Sequence, residues 1–439
     1  MSYAAFASVP TYTDFQLQAR SNLCANPDEG VFNLACDHFF TNGTPVINNH
    51  GAWIVKLEVV GATNGQGILF GQQAGPTQIV YTTPANEFVS DPWINNHGMI
   101  VFPRNFSAQN SLRYHDTIAQ TGGLLTTLPI GAQSRGSVSV NDNGEVGFRA
   151  TFAGSANGWF SYHNNAAPAH ALEATLDPNQ PYTFLFSPHM NLARQMAGRV
   201  SIGAQDQIRR INSDGSSTII AVDRDTNPAS PYNGFDSSRP AIMNDGHVAF
   251  IASLFGGGRG VFLSDGASTL TIATSIAGAG VTDIEFFPPH VNNRGQVVFR
   301  GRNAAGLRAI FVGDGKTLRQ IVAEHDIVPS DNGPARIDQH DNSPVFGGAP
   351  TINDCGHVAF HCTLTPPDNN QIEWGSGIYI ARPPLGDVTG NGTVDADDLT
   401  QVILSWGPCP AMPQACPADV NCSFSVDADD LVAVVLNWD

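Results

Sequence analysis

The sequence predicts an all-β chain, a seven-bladed β-propeller, with a small helical module at its C-terminal end. Three observations predict this. One short phrase recurs seven times along the first 381 residues. Between the copies lie short apolar runs broken by Gly- and Asp-containing turns, with no helical periodicity. From Gly386 onward the chain changes to two Asp-rich loops, each followed by a short apolar run that ends in Trp.

The repeated phrase is an aliphatic residue, an Asn-rich turn, a Gly and a short apolar strand. It reads INNHGAWIV from Ile47, INNHGMIVF from Ile94, VNDNGEVGF from Val140, IMNDGHVAF from Ile242, VNNRGQVVF from Val291 and INDCGHVAF from Ile352. A degenerate copy, MNLARQMAG from Met190, carries Arg194 in the Gly slot. Asn and Asp tolerate tight turns and bond to their own main chain, and Gly completes a close reversal between antiparallel strands. The apolar run that follows is too continuous for a sheet with one wet face and suits strands covered on both sides.

Most periods hold a second phrase, a strand, an Asp-Gly or Gly-Gly turn and another strand. Clear copies are GVFLSDGASTLTIA from Gly260, AIFVGDGKTLRQIV from Ala309 and QIRRINSDGSSTIIA from Gln207. Each period therefore supplies about four strands, and seven such periods are the signature of a propeller. Helical and leucine-rich repeats need other patterning, and a β-helix coil is much shorter. The seventh period ends at GIYIA from Gly377 without its last strand. Phe15–Ala19 is the expected closing strand from the other end of the chain, with VFNLA from Val31 as runner-up, since closure removes free sheet edges.

The phrase resembles the tandem N-x-x-G-x-x-x-F repeat family of exported bacterial proteins over roughly residues 40 to 381. That resemblance implies a propeller-like fold and little about activity. Residues 1–381 are thus expected to form the ring, and 382–385, containing Pro383 and Pro384, a short stiff linker.

The module at 386–439 carries oxygen donors at the spacing of a twelve-residue calcium loop, positions 1, 3, 5, 7, 9 and 12. In the first loop these are Asp387, Thr389, Asn391, Thr393 through its carbonyl, Asp395 and Asp398, with Gly392 at the sharp turn. In the second they are Asp419, Asn421, Ser423, Ser425, Asp427 and Asp430, with Phe424 where Gly is expected. Calcium is a hard cation that takes six to eight oxygens, which is why these residue types alternate. The paired loops, with Asp at position 12 and short helices expected at Leu399–Trp406 and Leu431–Trp438, resemble a dockerin type I module of the divergent planctomycete kind. The resemblance implies a calcium-dependent, EF-hand-like fold that docks to a protein partner, either cohesin-like or a cell-surface component.

Composition bounds the function. Gly 44, Pro 29 and 14% charged residues fit a turn-rich β protein. The net charge is −18, and half of it lies in the tail, which has nine Asp and no Glu, Lys or Arg. This argues against nucleic acid or an anionic membrane as partner. No run of 18 apolar residues occurs, so no membrane insertion is expected. The start, MSYAAFASVP, does not read as a signal peptide, yet a calcium module belongs outside the cell. The expectation is an extracellular or cell-surface protein whose export signal is missing from this chain. Seven cysteines, clustered as Cys24 and Cys36, Cys355 and Cys362, and Cys409, Cys416 and Cys422, suit disulfides with one thiol left over. Cys409 is expected to pair with Cys416 or Cys422.

No catalytic motif stands out. There is no G-x-S-x-G, H-E-x-x-H or phosphate loop, and GGGRG from Gly256 reads as a turn. His50, His97, His247 and His357 fall beside the repeated turn and read as structural, with a ligand-binding ring as the alternative. Trp53, Trp93, Trp159 and Trp374 read as blade core or as sugar-stacking faces. Asp236, Glu285, Asp338, Asp341 and Glu373 are loop acids that a glycosidase would need to bring together. The reading that follows is an extracellular, non-catalytic binding or scaffold protein, with a recognition face on the ring and a calcium-dependent docking tail. A secreted polysaccharide-active hydrolase or lyase is the alternative. A surface-layer or filament subunit, self-associating, is the third.

Overall fold

The computed structural model describes residues 9–438 apart from 22–31, 33, 36–37, 41–42, 60–64, 73–74, 85–86, 106–109, 129–130, 135, 164–169, 175–180, 277–279, 342, 411–415 and 424. Seven antiparallel sheets follow one another along the chain as the blades of a seven-bladed β-propeller. Blade 5 shows the common plan. Its inner edge is Tyr232–Phe235 followed by Ala241–Ile242, and Val248–Leu254, Arg259–Ser264 and Thr269–Thr274 run outward from it. The predicted four strands per period are present, but the innermost is split in two in most blades.

The repeated Asn welds neighbouring blades. The side-chain oxygen of Asn95 accepts from the backbone N–H of His97 (3.1 Å) and Met99 (2.9 Å), which closes its own turn. Its Nδ2 donates to the carbonyl of Asn141 in the next blade (2.9 Å). The same outward donation runs from Asn48 to Asn95, Asn141 to Asn191, Asn191 to Met243, Asn292 to Asn353 and Asn353 back to Asn48. One slot holds Met243, which has no amide to give. A second circle lies one residue on, where Asn96, Asn244, Asn293, Asp354 and Asn49 accept from or donate to their neighbours. The phrase is thus a blade-to-blade connector as well as a turn. The Gly slot has φ between 73° and 92°, and Arg194 adopts 59° in its place, a left-handed backbone that a side chain rarely takes.

The apolar end of the phrase builds the core. Phe148, Phe250, Phe299 and Phe360 are buried and pair in register with Phe160, Phe262, Phe311 and Tyr379 on the next strand, at 5.5–5.8 Å between rings. Each pair adds roughly 0.5–1.5 kcal/mol beyond the area it buries. In blade 4 the Phe slot is Gly198, and the Trp159 indole lies where a β-carbon would stand.

Asp14–Arg20 closes the ring by pairing with Gly375–Arg382, the strand that contains Phe15–Ala19 as anticipated. Blade 7 also carries an extra hairpin, Ile327–Ser330 with Gly333–Ile337, which accounts for the long last interval of the repeat. Its tip residue Asp331 makes a buried pair with Arg20 of the closing strand.

The tail forms two helices, α1 (Ala396–Leu404) and α2 (Ala428–Leu436). They begin three residues earlier than the sequence indicates because Asp395 and Asp427 cap them and Asp398 and Asp430 bond back to the caps. They stop before Trp406 and Trp438. Val388, Val394, Val402, Ala418, Val426 and Val434 form their small core. Cys409 bonds to Cys416, one of the two partners expected. Cys355 and Cys362 do not form the local pair that their spacing indicated. Cys355, in the Asn turn of blade 7, bonds instead to Cys422 in the tail, and Cys362 is a buried free thiol. Cys24 and Cys36, and Val31, lie outside the described residues. A cleft of about 1200 Å³ runs between the tail, the N-terminal segment at Pro10–Gln16 and the turns of blades 6 and 7. The tail therefore sits on the Asn-turn face, beside the closing strand.

Candidate functional site

Proline shapes the axis of the ring. Three residues before the Asn slot the chain has Pro45, Pro92, Pro188, Pro240, Pro289 and Pro350, in six of the seven copies. Proline has no N–H for the ladder, so the inner strand breaks there. The broken segments line a pocket of about 210 Å³ at the channel mouth opposite the Asn turns, and hence opposite the tail. Its wall includes Asp91, Trp93, Ser137, Arg239, His290 and Thr351. A shallower space of about 140 Å³ lies on the Asn-turn side, and Trp93 and His290 line both.

The pocket is a cluster of donors around an aromatic plate. Trp93 from blade 2 reaches across the axis to His189 of blade 4 and His290 of blade 6, at 5.0 and 5.4 Å between ring centres. The Arg239 guanidinium lies 4.5 Å over the Trp93 ring and donates Nη1 to the carbonyl of Val138, two blades away (2.9 Å). Burial pushes the Arg239 pKa down to about 10, with Asp91 pulling it back up, so the group stays cationic at neutral pH. Asp91 accepts from the Ser137 hydroxyl (3.1 Å) and is the one carboxylate among the described residues of this wall.

The two histidines are neutral and fixed. Burial and the Arg239 charge hold His290 down at about 3, and the same causes hold His189 well below its ordinary value. Nδ1 of His290 accepts from the Ile352 N–H (3.1 Å), and Nδ1 of His189 from the Ile242 N–H (3.2 Å). With Nδ1 accepting, the ring proton sits on Nε2, so each imidazole offers a donor and no free lone pair. Neither ring is set up as a general base. What the mouth offers is a cation, Arg239, stacked on a nearly buried indole, Trp93, which suits an oxygen-rich, negatively charged group.

The sequence singled out Trp93 as core or stacking face, and it missed the rest of this pocket. Reading the phrase four residues further upstream, through the proline, would have found Asp91, Ser137 and Arg239 in equivalent places. The other aromatics are structural, with Trp53 and Trp159 fully buried between strands and Trp374 packed against the core of blade 7. His50 and His97 are exposed, His247 is paired with Asp245 (2.9 Å), and burial keeps His357 at about 3. No three of these gather at metal-holding distance among the described residues. Of the loop acids only Asp341 and Glu373 come together among the described residues. Glu285 pairs with Arg300 and Arg308, Asp338 with Arg336, and Glu373 accepts from Ser343 and meets Nδ1 of His340 at 3.2 Å, with Asp341 reaching the same nitrogen at 3.8 Å. Asp236 stands apart from them, and burial raises its pKa. Glu324, His325 and Asp338 do approach one another, but Arg336 already supplies the positive charge at 3.0 Å from Asp338.

In the tail the two loops share a plan, with the carboxylates at positions 1 and 12 accepting from the loop backbone in both. Asp387 accepts from the N–H groups of Asn391 (3.0 Å) and Gly392 (2.9 Å), and Asp419 accepts from Ser423 N–H (2.9 Å). Asp398 accepts from Thr389 N–H (2.8 Å), and Asp430 from Val420 (2.8 Å) and Asn421 (3.2 Å). Thr393 donates its hydroxyl to Asn391 (2.7 Å), and Ser423 donates to the Ser425 carbonyl (2.9 Å). Asp395 and Asp427 serve as helix caps. The donor set is entirely oxygen. Burial and the neighbouring Asp398 carboxylate both push the Asp387 carboxyl up, the strain a cation would relieve. In donor chemistry both loops fit a hard divalent cation, although among the described residues neither Asp387, Asp395 and Asp398 nor Asp419, Asp427 and Asp430 gather at metal-holding distance.

No family model and no curated protein sequence matches the chain. Solved structures do resemble it. An oligogalacturonate lyase in complex with manganese matches with a TM-score of 0.50 at 10% identity, over 85% of this chain and 98% of that one. Virginiamycin B lyase from Staphylococcus aureus matches with a TM-score of 0.45 at 14% identity, over 84% and 99%. TolB from Acinetobacter baumannii matches with a TM-score of 0.42 at 14% identity, and the chain spans 65% of its length. At such identities the likeness is one of fold. The similarity of the repeat and of the tail to named families therefore rests on their residues alone.

Proposed function

We propose that this is an exported binding propeller that takes an anionic, carbohydrate-like group in the mouth of its channel and is attached elsewhere through its calcium-binding tail. The observation that carries the reading is Arg239, a cation held over the face of Trp93 in the wall of the pocket. The carboxylate of an acidic sugar meets the charge on Arg239, which the indole beneath it holds in place. The tail supports attachment. Ile403, Leu404, Trp406, Val435, Leu436 and Trp438 are about half exposed or more, and they occupy matching places at the ends of the two helices and just beyond them. Apolar surface of this extent marks an interaction site. Calcium, when bound, would neutralise Asp387, Asp398, Asp419 and Asp430 and stabilise both helix starts.

The test is calorimetric titration of the full chain with uronic-acid oligosaccharides and with their neutral counterparts. Binding of the acidic sugars that is lost in Arg239→Ala supports the reading. Equal binding of neutral and acidic sugars, or none of either, overturns it.

A second reading is an enzyme acting on such a polysaccharide. It is favoured by the fold shared with an oligogalacturonate lyase and by Asp91, which faces Arg239 across the same pocket. Elimination needs a group to neutralise a carboxylate and another to take the neighbouring proton, and Asp91 is the candidate for the second task. The appearance of an unsaturated, ultraviolet-absorbing product, abolished in Asp91→Asn, would establish it.

A further inference from the structure

We propose that the ring supplies part of the tail's second calcium site: Cys355 of blade 7 is a positioning residue that holds the second loop in its binding shape through the bond to Cys422. The inference rests on the calcium reading of the tail given above.

The two loops differ at position 4. In the first loop this residue is Gly390, with φ of 72°. In the second it is Cys422, with φ of 59°, so a residue with a side chain occupies the left-handed backbone that glycine takes without cost. Cys422 lies between Asn421 and Ser423, the donors at positions 3 and 5. A residue free to relax out of this conformation would carry both donors away from Asp419 and Asp430. The bond to Cys355 prevents it, across 67 residues of chain.

The anchor is rigid. Cys355 N–H donates to Asn353 Oδ1 (3.1 Å), and Asn353 in turn donates to the Asn48 carbonyl of blade 1 (2.9 Å). The next residue back, Asp354, donates its N–H to Asn49 (2.9 Å). The fixing point is therefore part of the Asn network that joins blade 7 to blade 1 and not a free loop. A second ring residue reaches the segment that leads into the same loop. Arg294 of blade 6 donates to the Cys416 carbonyl (3.4 Å) and stands close enough to feel the charges of Asp354 and Asp419. The first loop has no covalent tie to the ring among the described residues. It retains Gly390 and Gly392 and holds its shape by itself, whereas the second has lost both glycines and has a tether instead.

The test is terbium luminescence and calorimetric calcium titration of the full chain, with Asp387→Ala used to assign the first loop. The wild type should bind two ions. Cys355→Ser should keep the first site at its original affinity and weaken the second by about 10–100-fold, the range typical for removing a residue that orients metal ligands. Cys422→Gly also cuts the tether but removes the strained backbone, so its second site should fall between wild type and Cys355→Ser. Two unchanged sites in Cys355→Ser would overturn the tether and leave the calcium reading standing. Equal loss at both sites would overturn it too, since that is what general unfolding of the tail produces. A wild type that binds no ion would overturn both readings, and one that binds a single ion at the first loop would overturn this one.

Discussion

Arg20 and Asp331 meet in a fully buried, two-pronged ion pair, Nε to Oδ1 at 2.8 Å and Nη2 to Oδ2 at 3.0 Å. Arg20 belongs to the strand that closes the ring and Asp331 to the tip of the hairpin inserted in blade 7. Arg20 also donates Nη1 to the Trp374 carbonyl (2.6 Å). The pair clasps the seam between the two ends of the propeller. Removing one partner leaves the other charge buried. Asp331→Ala is therefore expected to lower stability by about 3–5 kcal/mol in urea unfolding, and the Arg20→Met, Asp331→Leu double variant by distinctly less.

The Asn circle predicts an uneven response around the ring. Asn95→Ala removes two turn bonds and one interblade bond at a buried site, an expected loss of about 2–4 kcal/mol. In the second circle Leu192 stands where the other blades have Asn or Asp, so it offers no acceptor. Leu192→Asn should add about 0.5–1.5 kcal/mol, read as a higher urea midpoint at unchanged slope.

Burial makes the ring sensitive to acid. His361 is enclosed by the core, and burial with the nearby Arg300 charge holds its pKa at about 3. An unfolded histidine takes its proton near pH 6.5. Between those values the unfolded chain binds a proton that the folded chain does not, so stability is full above about pH 6.5 and falls as pH drops toward 3. His361→Phe should flatten the slope in that window by about 1.4 kcal/mol per pH unit relative to wild type. An unchanged slope in denaturant titrations at pH 4, 5 and 6 would show that His361 is protonated in the fold.

Arg239→Ala should weaken binding of an acidic sugar by about 10–100-fold, since a charged hydrogen bond in such a pocket contributes roughly 1.5–3 kcal/mol. Unfolding of the variant should be unaffected or slightly improved, because Arg239 is a desolvated cation without a close ion-pair partner among the described residues. Calorimetry and thermal melts read the two effects separately.

Chelation should act on the tail alone. With calcium removed, Asp387 and Asp398 repel at the start of α1, and Asp419 and Asp430 at the start of α2, so the helical circular-dichroism signal should fall while the β signal persists. An unchanged helical signal would mean that the caps suffice without a cation.

The ring was legible in the sequence because its phrase is local. Asn, Gly and Phe each act within a few residues, on their own turn and on the strand that follows, and that pattern survives in a list of letters. The closing strand was legible for a similar reason, since a blade short of one strand requires a partner. The pocket was not. Trp93, Arg239 and His290 come from three blades, and only closure of the ring brings them together.

The disulfides mark the same boundary. Cys409 and Cys416 lie close in sequence, and their pairing was among those expected. Cys355 looked like a partner for Cys362, but Cys362 is buried within the strand Val358–Thr365 and Cys355 lies in the Asn turn before that strand, bonded to the tail. By itself the sequence determined the repeat, the number of blades, the site of closure and the oxygen-rich loops, all of which depend on short-range backbone preferences and periodicity. The tertiary structure decided which side chains share the channel, which cysteine joins the tail to the ring and where the tail lies, because those depend on distances between segments far apart in the chain.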